Sequence, residues 1–220
     1  MIKLVAFDWN GTLLADAVIC WKIDNDIFEV LNKPFLPFKG YQEIFDIPIS
    51  KMFLAHGFTQ EEIDENADYI VHAFHDAYEA WAVKARTRTG TRDILKWLKK
   101  QKITVIIFSN HSLDGLDRQM KRLGIGEYFD ILIGNDGRGG SFNGRSKKDK
   151  LASYIKKKGF KAKEVLLVGD TVEEIQIGKE IKAKTAAIIG GYHSRKLLVK
   201  HKPDYIITNL LDLKKIVLKS

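Results

Sequence analysis

The sequence predicts a doubly wound α/β fold, a parallel sheet covered on both faces and interrupted by an all-helical insertion. Short runs of Val, Ile and Leu recur along the chain, each followed by a turn and then a helical pattern. The runs are continuous in apolar residues rather than alternating, which fits parallel strands buried on both faces. Between the first run and the second lie about ninety residues without a convincing strand.

The strands are expected at Lys3 to Phe7, Ile103 to Phe108, Ile131 to Ile133, Val165 to Val168, Thr185 to Ile189 and Tyr205 to Ile207. The helices between them carry apolar stripes: Leu113, Leu116, Met120 and Leu123, then Leu151 and Ile155, then Ile177 and Ile181. The insertion is expected at 15–86, which divides the chain into a core of 1–14 plus 87–220 and a helical unit. Its clearest helix starts at a Thr59-Gln60-Glu61-Glu62 capping box and continues through Ile63, Ala67, Ile70, Phe74, Ala77 and Trp81. Thr89-Gly90-Thr91 reads as the return hinge and the N-cap of the next core helix.

At 220 residues, with 45% hydrophobic and 29% charged residues and four prolines, the chain is long enough for a sizeable core and is neither disordered nor fibrous. The single cysteine, Cys20, excludes an intramolecular disulfide framework and a Cys-rich metal site, and points to a reducing compartment. No uncharged apolar run approaches ~18 residues, and Met1 to Asp8 reads as a strand rather than a signal segment, so the expected location is the cytoplasm, with no membrane partner.

In an open α/β sheet, functional groups gather outside the carboxyl ends of the strands. The first strand ends in Phe7-Asp8-Trp9-Asn10-Gly11-Thr12, the second in Ser109-Asn110, and the fourth in Gly169-Asp170-Thr171-Val172-Glu173-Glu174. Lys147, with Lys148 beside it, opens the helix before the fourth strand. Two or three carboxylates with a backbone carbonyl and waters form an oxygen-rich site suited to Mg²⁺. Such an ion offsets the repulsion between Asp8 and a substrate phosphate, while Lys147 and Ser109 orient the other phosphate oxygens. Asp8 is then placed to attack phosphorus and form an aspartyl-phosphate.

With these motifs the sequence resembles the haloacid dehalogenase superfamily of phosphatases, in the branch similar to phosphoglycolate phosphatase. The resemblance extends over the whole chain, including Gly190-Gly191-Tyr192-His193-Ser194 and Pro203-Asp204-Tyr205-Ile206-Ile207. It implies a nucleophile and metal ligand at Asp8, a backbone-carbonyl ligand at Asn10, and further ligands at Asp170 and Glu174. It implies phosphate binding by Gly11, Thr12, Ser109, Asn110 and Lys147, and a cap, the helical insertion, that selects substrates. The expected partner is a small phosphorylated metabolite, with phosphoglycolate the first candidate.

Asn10 departs from the pattern. Most phosphatases of this family carry an aspartate there, which protonates the leaving alcohol and activates water; asparagine has no proton to exchange near neutral pH. Loss of a positioned general acid/base is worth roughly 10²- to 10⁴-fold in rate. The chain is therefore expected to be a slow phosphatase or one acting on a good leaving group, with a catalytically silent phosphometabolite-binding protein, a phosphotransferase or mutase, and an engineered trap as alternatives.

Structural readings compete with the functional ones. Ser109 resembles a helix N-cap, although Ser112 is better placed for that role. Lys147 competes with Lys148 and Arg145; its register one turn before Leu151 favours it. Thr171 to Glu174 forms a capping box, so Glu174 is read either as a ligand or as a helix cap. His72, His75 and His193 read as surface or helix-face residues, and Cys20 as a small buried hydrophobe.

The net charge of +8 is unevenly divided. Residues 15–86 hold 6 Lys plus Arg against 13 Asp plus Glu, a net of −7, which leaves the core at +15. An acidic unit over the site disfavours a long polyanion, so no nucleic-acid partner is expected.

Overall fold

The computed structural model describes residues 1–135 and 147–219. Six parallel strands form one sheet: β1 (Leu4–Phe7), β2 (Thr104–Ser112), β3 (Ile131–Asn135), β4 (Val165–Gly169), β5 (Lys184–Ile188) and β6 (Tyr205–Ile207), in the order β3-β2-β1-β4-β5-β6. Successive side chains point to opposite faces. Val5, Phe7, Val105, Ile107, Leu166 and Val168 therefore join one buried layer, while Leu4, Ala6, Ile106, Phe108 and Leu167 join the other. Burial of both faces is the reason the strands read as unbroken apolar runs. The chain adds β2 and β3 on one side of β1 and then returns to lay β4 on the other. This reversal opens a crevice at the carboxyl ends of β1, β2 and β4, where open α/β sheets bind ligands.

Between β1 and β2 lie four helices, α1 (Ala17–Val30), α2 (Phe38–Ile44), α3 (Ser50–Ala55) and α4 (Gln60–Ala82), followed by α5 (Thr91–Lys100) against the sheet. The core helices that follow are α6 (Leu113–Leu123), α7 (Lys147–Lys158), α8 (Val172–Glu180), α9 (Arg195–Lys200) and α10 (Leu213–Lys219). The chain leaves and re-enters the core at one place, where Ala15 N–H donates to Arg86 O at 2.8 Å and Leu14 bridges Thr87. The inserted helices have a hydrophobic centre of their own, built from Ile23, Phe28, Phe53, Phe58 and Ile63. One buried residue of the loop after β5, Tyr192, joins that centre.

Thr59 caps α4 as a reciprocal box: its hydroxyl accepts from Glu62 N–H at 3.1 Å, and Glu62 accepts from Thr59 N–H at 2.8 Å. The inward face of α4 then differs from the expected stripe. Tyr78 and Ala82 are buried, Ala77 is half-buried and Trp81 is 48% exposed. The reason is polar: Tyr78 turns inward to reach Asp16 and Asn10. The cap of α5 falls within the expected Thr89-Gly90-Thr91 stretch: Gly90 takes the N-cap position at φ +84, with no side-chain bond. A β-carbon there would crowd Leu211 and Asn209, so glycine serves both the conformation and the space.

Candidate active site

Asp8 follows β1 directly, and its carboxylate lies at the floor of a cavity with Ser109, Asn110 and Lys147. Lys147, the first residue of α7, is 2% exposed and points its ammonium at the same floor. Its Nζ donates to Asp8 Oδ1 at 3.0 Å, lies 3.1 Å from Glu173 Oε2, and bonds Glu174 Oε1 closely. Lys148 is half-buried and pairs with Glu180 at 2.9 Å, so of these two lysines only Lys147 enters the site. Arg145, the third cation considered, lies outside the described residues.

Asp170 is fully buried and held from two sides. Thr12 hydroxyl donates to its Oδ1 at 2.6 Å and Tyr192 N–H to its Oδ2 at 2.7 Å. Thr12, expected to bind phosphate, thus spends its hydroxyl on orienting Asp170. Gly11 sits at φ +70, and a β-carbon there would collide with Asp170 and Tyr192. Ser109 is buried, and its Oγ accepts from His111 N–H at 3.1 Å; Ser112 caps α6 through Gly115 N–H at 3.2 Å. Ser109 therefore does not cap α6 and faces the cavity. Asn110 donates through Nδ2 to Glu173 Oε2 at 2.8 Å. Glu174 does two things at once: it accepts from Thr171 N–H at 3.1 Å and Thr171 hydroxyl at 2.6 Å, completing the box that opens α8, and it bonds Lys147.

Three buried carboxylates, from Asp8, Glu173 and Glu174, thus surround one buried ammonium, and a fourth, from Asp170, lies beside Asp8 and Glu174. Burial pushes the Asp8 carboxyl well above the usual carboxylate range, against the pull of Lys147 and with added repulsion from Glu174 and Asp170. Asp170 is pushed up to about 7, first by burial and then by Glu174. Burial opposes the charge on Lys147, but Asp8, Glu173 and Glu174 together hold its pKa well above that of an ordinary lysine. Among the described residues the carboxylates of this cluster outnumber its one ammonium, and the atoms they offer a metal are oxygens. Both facts fit a hard divalent cation seated by Asp8, Asp170 and the Asn10 carbonyl. Among the described residues no three acidic, His or Cys side chains already form a cage.

Asn10 is gripped by residues that sequence reasoning did not single out. Its Nδ2 donates to Asp16 Oδ2 at 2.5 Å and to the Tyr78 hydroxyl at 2.8 Å, and Tyr78 in turn donates to Asp16 Oδ2 at 2.7 Å. Gly11 N–H donates to Asp16 Oδ1 at 2.7 Å. Asp16 is fully buried, and burial raises its pKa although these bonds support its charge. His193, expected at a surface, is also buried: Nδ1 accepts from Val172 N–H at 2.9 Å and Nε2 donates to Phe45 O at 2.7 Å. It ties the start of α8 to the segment after α2, and burial depresses its pKa.

A family model for haloacid dehalogenase-like hydrolases matches residues 5–188. The chain belongs to that family. As a haloacid dehalogenase-like hydrolase, it is 27% identical over 222 residues to a phosphoglycolate phosphatase of Pseudomonas fluorescens (strain Pf0-1), covering 96% of this chain and 78% of that protein. It is 25% identical over 219 residues to the pyrophosphatase PpaX of Halalkalibacterium halodurans, covering 98% and 97%. Its fold matches that of a haloacid dehalogenase-like family hydrolase from Streptococcus pneumoniae with a TM-score of 0.79 at 20% identity, over 98% of each chain. The chain is a phosphatase of the haloacid dehalogenase-like type. No described helix is long and apolar enough to cross a membrane.

Proposed function

We propose that the protein hydrolyses a small phosphate monoester through a phosphoryl group carried transiently on Asp8, with Mg²⁺ as cofactor and residues 15–86 acting as the substrate-selecting cap. The observation that supports this most directly is the pairing of Asp8 with the buried Lys147 on the cavity floor, at 3.0 Å. A carboxylate so placed attacks phosphorus in line, the bond to the leaving oxygen breaks, and that oxygen departs with its electron pair. Water then attacks the aspartyl-phosphate, phosphate leaves, and the Asp8 carboxylate is restored.

Lys147, Ser109 and Asn110 hold and neutralise the phosphoryl oxygens, and Thr12 and Gly11 fix Asp170 as a ligand. Glu173 and Glu174 keep Lys147 charged and aimed. Magnesium, when bound by Asp8, Asp170 and the Asn10 carbonyl, would supply positive charge to a cluster rich in carboxylates and favour the ionised form of Asp8. Asn10 cannot donate a proton to the leaving oxygen, so the reaction depends on leaving-group quality more than it would with an aspartate there.

The names of the curated relatives make phosphoglycolate the first substrate to assay. The test is phosphate release across sugar, acid, aryl and nucleotide monophosphates, with and without Mg²⁺, by this protein and by Asp8→Asn. Activity that requires both Mg²⁺ and Asp8 is expected; activity that survives Asp8→Asn contradicts the reading.

A further inference from the structure

The cavity over Asp8 extends into the helical insertion, with a volume of about 140 Å³. Beyond the floor its wall is carbon: Phe45, Ile47, Ile49, Ile70, Val71 and Phe74. Three tyrosines complete it, and each hydroxyl is committed to the protein. Tyr41 donates to Asp24 at 2.7 Å, Tyr192 to Cys20 Sγ at 2.8 Å, and Tyr78 to Asp16 at 2.7 Å. What these residues offer a ligand is ring surface, with Phe45 and Tyr192 at 4.5 Å between centroids and Phe74 stacked on Tyr78 at 5.8 Å.

The charge on this wall has the wrong sign for an acid. Asp24 lines it, 2% exposed, and burial pushes its carboxyl to about 7. Among the described lining residues the one ammonium is Lys147, at the phosphoryl end and already facing three carboxylates. Of the two lining histidines, His111 is held neutral, its pKa pushed down to about 4 by burial. A carboxylate on the leaving group would enter apolar surroundings beside an acid, with no ammonium or guanidinium among the described lining residues other than Lys147 to receive it, which costs several-fold to many-fold in affinity. The size is also informative: the whole cavity, phosphoryl end included, is close to the ~150 Å³ of an apolar cavity that accepts a benzene ring, so the leaving group it admits is no larger than one ring. Asn10 adds an independent constraint, since a leaving oxygen that receives no proton must depart as its anion.

We propose that the cap pocket selects phosphate monoesters whose leaving group is uncharged, apolar and about one ring in size, aryl esters above all, and discriminates against carboxylated esters such as phosphoglycolate. The proposal rests on the reading of Asp8 as phosphoryl acceptor. Chemically, Asp8 takes the phosphoryl group, the aryloxide leaves with the bonding pair and is protonated by solvent, and water later releases phosphate from Asp8.

Non-hydrolysable phosphonates separate binding from leaving-group ability. Titration calorimetry of the full chain with Mg²⁺, at about pH 8 where an ordinary histidine is neutral, should give benzylphosphonate an affinity at least roughly tenfold above that of phosphonoacetate. Asp24→Asn should narrow the gap by improving phosphonoacetate, and Phe74→Arg should reverse it. Equal binding, or tighter binding of phosphonoacetate by the unmodified chain, overturns the proposal. Inorganic phosphate is the control. If it binds and neither phosphonate does, the pocket assignment fails alone; if phosphate itself does not bind, the Asp8 reading fails and the proposal falls with it.

Discussion

Replacing Asn10 with aspartate should raise turnover on esters with poor leaving groups, and the surroundings of Asn10 fix the size and pH dependence of the gain. The amide now donates to Asp16 Oδ2 at 2.5 Å and to Tyr78 at 2.8 Å. In Asn10→Asp a second carboxylate faces Asp16 at that distance in a buried site. Two carboxylates so close cannot both ionise, and the pair keeps one proton to well above the usual carboxylate range. Burial already raises Asp16, so the shared proton persists towards neutral pH. Residue 10 lines the cavity, so the proton can pass to the leaving oxygen.

A positioned general acid is worth roughly 10²- to 10⁴-fold, or ~2.7–5.4 kcal/mol of barrier. Steady-state phosphate release from a simple alkyl phosphate should rise within that range, while release from an aryl phosphate changes little. Departure of the leaving group in the variant should slow as pH rises through the upper pKa of the pair, a limb that the parent lacks. Asn10→Ala should gain nothing. An unchanged alkyl-phosphate rate in Asn10→Asp, with an unaltered melting temperature and Mg²⁺ affinity, refutes the role given to this position.

Three further outcomes follow from the same geometry. Lys147→Met strands buried carboxylates and should cost ~3–5 kcal/mol of stability by denaturant unfolding, with phosphatase activity lost; the deficit should shrink in acid, where those carboxylates take up protons. Asp24 is raised by burial from 3.8 to about 7, so it binds a proton in the folded state that the unfolded chain has released. Its contribution is complete below about pH 4 and is lost as pH rises towards 7, up to about 4 kcal/mol. Asp24→Asn should flatten that part of the stability-against-pH curve, and an unchanged curve would assign the slope elsewhere. Gly191→Ala places a β-carbon against the Asp170 carboxylate and should lower Mg²⁺ affinity, read as a higher Mg²⁺ concentration for half-maximal activity.

The sheet was legible because its strands are buried on both faces and so announce themselves as unbroken Val, Ile and Leu runs. Asp8, Ser109 and Asp170 were legible for a related reason, since a polar residue at the end of such a run stands at the edge of the sheet. Lys147 was legible from its register against Leu151, one turn on. Glu174, a helix cap or a ligand by sequence, is in the structure both the cap of α8 and a partner of Lys147. What the sequence hid is the second layer of the site. Asp16 and Tyr78 lie 62 residues apart and meet only because the insertion folds back over β1. Tyr78 lies outside the apolar stripe read along α4, so periodicity could not single it out. His193 looked like a surface residue because its two partners, Val172 N–H and Phe45 O, are backbone groups that leave no mark in a sequence. The apolar wall of the cavity was equally silent, because Ile70 and Phe74 line a pocket and a core with the same side chains.

The central claim is that Asp8 carries the phosphoryl group. Mass spectrometry of the acid-quenched protein, taken during turnover of an aryl phosphate with Mg²⁺, tests it most directly. The account predicts one phosphate per chain, mapped to Asp8 and absent from Asp8→Asn, with accumulation favoured because Asn10 does not activate water for its release. Turnover with no phosphorylated protein, or with the phosphate on another residue, would contradict it.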